Sequence, residues 1–183
     1  MIADDSEMNE AVFAALCACV GVAPGTDAAD RLIHKAYIEP ENAPQPPRER
    51  DVIYYWIERD AATDDDFQAM AAGCGWGSEL VNTEIRSYLA YRLVVVCYGQ
   101  HAEEYAHRIR ALMFLDGARK PRGILRAAGI YPIPRPAQPE IIREPIGSLW
   151  RKRADLVISL RVRDSLVAEQ GAVGTVPEIR LRR

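Results

Sequence analysis

Two interleaved apolar rows run through residues 85–98: Ile85, Leu89, Tyr91, Leu93, Val95 and Cys97 alternate with Tyr88, Ala90, Val94 and Val96. A period of two marks a strand, and apolar residues on both faces place that strand inside a sheet. At about 3.3 Å per residue the run would reach roughly 45 Å, more than an ordinary strand covers, so part of it bends or projects past the core. The projecting part is expected to carry Arg86 and Arg92. Tyr98-Gly99 then turns the chain into a helix predicted over residues 102–116. There Ala102, Tyr105, Ile109, Leu112 and Met113 repeat at helical spacing, and Glu103, Glu104, Arg108 and Arg110 fall outside the stripe. This helix should pack on the sheet.

Upstream, Met8, Ala11, Val12, Ala15, Leu16, Cys19 and Val20 form the apolar stripe of a helix over residues 7–20, with Ser6 as its expected N-cap and Gly21 past its end. A second short helix is predicted over residues 27–37. Pro40, Pro44, Pro46 and Pro47 make a loop as far as Arg50. Residues 51–58 read as a strand beside the central one, since Val52, Tyr54 and Trp56 alternate with Ile53, Tyr55 and Ile57. Downstream, residues 119–129 hold a short helical turn, and Pro132, Pro134, Pro136 and Pro139 space out an extended crossover. Residues 140–143 and 150–163 then make an antiparallel hairpin, its second strand with Leu156, Ile158, Leu160 and Val162 on the buried side. The pattern amounts to an α+β fold, a mixed or mainly antiparallel sheet with flanking helices, in one domain over residues 1–165. Residues 166–183 form a C-terminal extension or arm. In it Ile179 and Leu181 alternate with Arg180 and Arg182, a short strand suited to adding to a neighbour's sheet edge. Arg182 and Arg183 would then meet an acidic partner.

With 49% hydrophobic and 27% charged residues in 183, the chain suits one soluble domain of ordinary size. It lacks an apolar run near the ~20 residues of a membrane helix and opens on Asp4-Asp5-Ser6-Glu7, so a soluble, intracellular product without membrane contact is expected. Charge is lopsided: residues 1–100 hold 17 Asp/Glu against 7 Lys/Arg, residues 101–183 hold 9 against 16, and the halves stand at −10 and +7. Such polarity favours head-to-tail self-association or an acidic partner, unless folding interleaves the halves and cancels it.

Candidate chemistry is sparse. Cys17, Cys19, Cys74 and Cys97 lack zinc spacing and read as reduced, buried thiols. Asp64-Asp65-Asp66 lacks a calcium-loop pattern and reads as a solvated turn, and Gly73, Gly75 and Gly77 lack the context of a phosphate loop. His101 and His107 miss the zinc-protease spacing, which leaves Cys97 with His101 as one conceivable nucleophile and base. No cofactor, metal or catalytic constellation is expected.

The chain from Tyr88 to Val162 resembles the tail terminator, or neck terminator, proteins of tailed bacteriophages. The resemblance is carried by the long strand closed by Val96-Cys97-Tyr98-Gly99, the helix with Ala102, the Ala128-Gly129-Ile130 step with prolines after it, and Leu149-Trp150-Arg151-Lys152-Arg153-Ala154-Asp155-Leu156. It implies a non-enzymatic virion protein at the neck, made in the host cytoplasm. The protein would be a homohexameric ring that ends the tail tube and joins it to the head connector, with DNA passing through without specific readout. Its expected subunit or partner contacts are Arg86, Arg92, Trp150, Arg153, Ile179, Arg180, Leu181, Arg182 and Arg183, with Trp150 and Arg153 also anchoring the hairpin to the body. A head-completion or connector adaptor, and a small cysteine-dependent enzyme, are the alternatives.

Overall fold

The computed structural model describes residues 5–36, 50–60, 70–72, 80–134, 136–146 and 149–171. Helices α1 (Asp5–Val20) and α2 (Asp27–Leu32) lead into strands β1 (Ile33–Lys35), β2 (Val52–Arg59), β3 (Met70–Ala72) and β4 (Leu80–Tyr98). Helices α3 (Ala102–Leu112) and α4 (Pro121–Ala127) follow, then β5 (Ile130–Pro132), β6 (Glu140–Ile146) and β7 (Leu149–Gly171). Among the described residues these strands form one seven-stranded sheet in the order β1-β2-β4-β7-β5, with β3 on β4 and β6 on β7. β1 runs parallel to β2 and the other pairings are antiparallel, which is the expected α+β arrangement.

β4 is the axis of this sheet because both of its faces are apolar over residues 93–97. It pairs with β7 along its whole length, from Leu80 opposite Gly171 to Tyr98 opposite Arg153. β2 flanks it only from Tyr98 to Tyr91, and β5 reaches β7 only at Leu160 to Val162. Beyond Tyr88 and Arg163 the sheet, among the described residues, therefore narrows to β4 and β7, with β3 alongside at residues 84–86. Arg86 lies in this narrow part, opposite Met70 and Ser165. Arg92 does not, contrary to expectation: β2 extends to Arg59, which puts Arg92 in the body opposite Glu58. β7 continues past the predicted end of its strand because β4 supplies a backbone partner for every residue to Gly171.

The main core lies between the sheet and α1, α2, α3 and α4. Leu16 and Val12 of α1, Ile109 of α3 and Leu125 of α4 meet Ile53, Leu93, Val95, Leu156, Ile158 and Leu160 from the sheet, all buried. α1 buries Cys17 as well as its predicted stripe, since it is apolar on more than one side and touches α3, α4 and β1. Gly21, at φ +84°, ends α1 as predicted: its N–H and that of Val22 both donate to the Cys17 carbonyl, at 2.9 and 3.1 Å. The opposite face of the sheet has a small cluster, with Val52, Tyr54 and Val96 buried.

Three local expectations are corrected. Ser6 lies inside α1 and does not cap it. The second helix stops at Leu32, because Ile33, His34 and Lys35 pair with Ile53, Tyr54 and Tyr55 and continue as a strand. Thr26 caps that helix, its Oγ1 accepting from Ala29 N at 3.3 Å. α3 ends at Leu112, short of 116, where Leu115 N donates back to the Leu112 carbonyl and tightens the last turn.

Candidate assembly surface

The β6–β7 hairpin, with Pro145 opposite Trp150 and Ile146 opposite Leu149, closes one end of the sheet edge. Its base is held by Arg153. The guanidinium donates to both carboxylate oxygens of Asp155 at 2.7 Å and sits 3.7 Å from Glu144 Oε1, and the side chain is only 27% exposed. A planar fork against a carboxylate is the geometry that arginine satisfies best. Arg153 also lies over the ring of Tyr98, 5.7 Å from its centroid, with Arg151 at 5.3 Å. Burial, with a hydrogen bond to Glu144, pushes the Tyr98 hydroxyl up to about 12, outweighing the opposing effect of Arg153. Arg151 also donates to the Arg50 carbonyl at 3.0 Å, and Lys152 Nζ donates to Glu103 Oε2 of α3 at 2.6 Å. Arg153 thus ties β6 to β7 through Glu144 and Asp155, and meets the body at the Tyr98 ring.

Trp150 does not anchor the hairpin. Three residues further toward the tip, its side chain is 72% exposed, so the expected core packing is overturned. The hairpin carries Trp150 past the N-terminal end of α3, where the described residues put nothing over it. Ile141, 42% exposed, and the side chains of Arg143, Arg151, Lys152 and Glu103 share a shallow cleft of roughly 480 Å³ with it. Arg143 is exposed and has no ion-pair partner among the described residues. The result is an indole, an isoleucine and a cation held on a stiff strand pair.

On the other side of α3 the chain is tied down by Asp51, at the start of β2. Its Oδ1 accepts from the His101 backbone N–H at 3.0 Å, and its Oδ2 pairs with His101 Nδ1 at 2.7 Å. Asp51 thereby caps α3 from another element, since His101 at the N-cap position offers no side-chain cap of its own. Burial pushes the Asp51 carboxyl upward, but the bonds from His101 and from the Gln100 backbone prevail and hold it below its ordinary range. The same bond and charge raise the His101 imidazole. Gly99, at φ +115°, makes room for this clamp, because a Cβ there would run into Asp51. Beside the clamp lies an open hollow of roughly 400 Å³ walled by Ala28, Arg31, Leu32, Arg50, Asp51 and Tyr105.

Cys97 faces the core, fully buried, and burial pushes its thiol up to about 12. A nucleophile needs a thiolate, which burial disfavours here. Cys17, Cys19 and Cys97 are free and buried, as expected. Among the described residues no three His, Cys, Asp or Glu side chains converge to hold a metal, and no helix is long and apolar enough to cross a membrane.

Of the other expected contact residues, Arg92 bonds Glu58 at 2.8 Å on its own sheet. Ile179, Arg180, Leu181, Arg182 and Arg183 lie outside the described residues, as do the 40–47 proline loop, Asp64-Asp65-Asp66 and the glycines at 73, 75 and 77. Ile141, Arg143 and the Asp51–His101 clamp were missed by sequence reasoning. The alternation in residues 140–143 marked a strand, but only the hairpin register puts Ile141 and Arg143 on the face of Trp150.

The described residues form a helix-backed sheet that carries an exposed tryptophan on the β6–β7 hairpin. The sequence profile described as phage neck terminator protein matches residues 8–181, and the chain belongs to that family. A comparison with curated proteins finds no match. The family makes this a structural virion protein of the head–tail junction, interacting with other tail and head–tail proteins.

Proposed function

We propose that the protein forms a closed ring, most simply a homohexamer, that ends the tail tube and joins it to the head connector. The family match over nearly the whole chain carries this reading. The fold supports it through a sheet with two unlike lateral edges, β1 on one side and β5 and β6, both along β7, on the other. Unlike edges suit head-to-tail contacts, which close into rings when the rotation between copies permits. DNA crosses such a ring without base readout, held by the geometry of the hole and by backbone charge. Residues 172–183, past the end of β7, act in this reading as an arm toward a neighbouring subunit or tail protein, a shorter arm than the sequence suggests because residues 166–171 pair with β4.

Solution mass and negative-stain images test the ring, and co-sedimentation with polymerised tail tube and with isolated connector tests its place. A six-fold particle with a central hole that binds the tube is expected. Binding to the connector alone would replace this reading with the head-completion adaptor, and a monomer that binds neither would end it.

A further inference from the structure

We infer that the cleft around Trp150 takes up Asp64-Asp65-Asp66-Phe67 of the next copy, so that the subunit contact joins diagonally opposite corners of neighbouring sheets. This rests on the ring reading above. The cleft offers Trp150 and Ile141, both exposed, and the cations of Arg143, Arg151 and Lys152 against the single carboxylate of Glu103. Lys152 and Glu103 hold each other at 2.6 Å, which leaves the cleft cationic. A segment that fits it carries carboxylates next to an apolar or aromatic side chain. This chain has one between Arg59 and Arg86: the stretch holds six Asp or Glu and no Lys, Arg or His, and three of its carboxylates run directly into Phe67. Carboxylates meeting arginine and a phenyl ring beside an indole are each favourable, and a tryptophan flanked by arginine is the composition of an interface hot spot.

The same copy cannot supply this segment. Residues 61–69 lie outside the described residues, but both ends of the segment are placed: Asp60 N donates to the Ala90 carbonyl at 2.9 Å, and Met70 is opposite Arg86. β7 gives their distance from the cleft, since Ala90 is opposite Arg161 and Arg86 opposite Ser165, eleven and fifteen residues along the strand from Trp150. At about 3.3 Å per residue these are roughly 36 and 50 Å. The ten residue steps from Asp60 to Met70 reach about 36 Å at full extension, whereas a passage through the cleft of the same copy would need roughly 86 Å. The segment also starts from the other side of the sheet, because β2 and β3 flank β4 on one side and β7 with β6 lies on the other. Two different surfaces at opposite corners make a contact that repeats in one direction, as a ring requires.

The test uses the full chain in two variants, each altered on one side of the contact. Arg143→Glu reverses the cleft at an exposed residue, and Asp64→Lys with Asp65→Lys and Asp66→Lys reverses the segment. Each alone should weaken self-association at least about tenfold in sedimentation, with an unchanged circular dichroism spectrum. Mixed in equal amounts they should assemble again, because reversed cleft meets reversed segment and native cleft meets native segment, in alternation around the hexamer. Trp150→Ala should weaken association as much, with partial recovery in Trp150→Phe. Variants that assemble as the unaltered protein does would overturn the proposal and leave the ring standing, and a loss that mixing does not restore would overturn it as well. An unaltered protein that stays monomeric at every concentration would overturn both readings. If added tail tube protein or DNA, and not self-assembly, shields Trp150 from a collisional quencher, read as the difference from Trp150→Phe, the cleft belongs to that partner and the proposal fails.

Discussion

Arg153 and Trp150 sit on the same strand, three residues apart, and their surroundings differ as much as any two places in the molecule. At Arg153 the guanidinium is engaged: Asp155 takes two hydrogen bonds, Glu144 lies 3.7 Å away, and Tyr98 lies under it. At Trp150 most of the largest apolar side chain in the hairpin faces outward. Burying apolar area is the main favourable contribution to folding, at roughly 25 cal/mol per Å². A tryptophan left out of the core therefore adds little to the stability of a single copy, yet a rigid base holds it in one place. The contrast separates residues that hold the fold from residues the fold holds out.

That contrast can be broken or sharpened by substitution. Leu160→Ala, in the core between β7 and the helices, should have the largest effect, a loss of about 2–5 kcal/mol in urea unfolding. A smaller loss would mean that the sheet collapses around the cavity. Gly99→Ala should cost about 1–3 kcal/mol, since the residue is left-handed and its new methyl meets Asp51. Arg153→Ala should cost about 1–3 kcal/mol by leaving Asp155 and Glu144 without their cation, toward the low end because the group is partly solvated. An unchanged midpoint for Arg153→Ala would show that the hairpin stands without its base. Trp150→Ala, measured in dilute monomer, should change stability by no more than about 0.5 kcal/mol. A loss comparable with that of Leu160→Ala would show the indole to be packed in solution and erase the contrast.

The Asp51–His101 clamp adds a pH signature on the far side of α3. The raised imidazole contributes stability that is complete below its ordinary 6.5 and is lost as pH rises through the higher folded value. The lowered carboxyl contributes stability that is present above its ordinary 3.8 and is lost as pH falls through the lower folded value. The clamp should therefore be tightest between pH 3.8 and 6.5. NMR titration of His101 should give a midpoint above 6.5 that falls toward it in Asp51→Asn, and equal midpoints in the two proteins would show the contact to be absent in solution.

By itself, the sequence determined the elements whose patterns are local. The two-residue period of residues 85–98 and 150–163, the apolar repeat of α1 and the glycines at 21 and 99 each state a backbone preference that neighbouring residues do not contradict. With them came the class of fold and the central place of β4. Tertiary structure decided what depends on register and on distant partners. Ile33 to Lys35 became a strand because β2 offered an edge, and Arg92 moved into the body because β2 ran on to Arg59. Asp51 caps a helix fifty residues away. Trp150 and Ala154 share one face of β7, yet Ala154 is fully buried and Trp150 is 72% exposed, while Arg153 lies on the other face with Asp155 and Tyr98. Periodicity records which residues share a face, while burial depends on how far the element above that face extends.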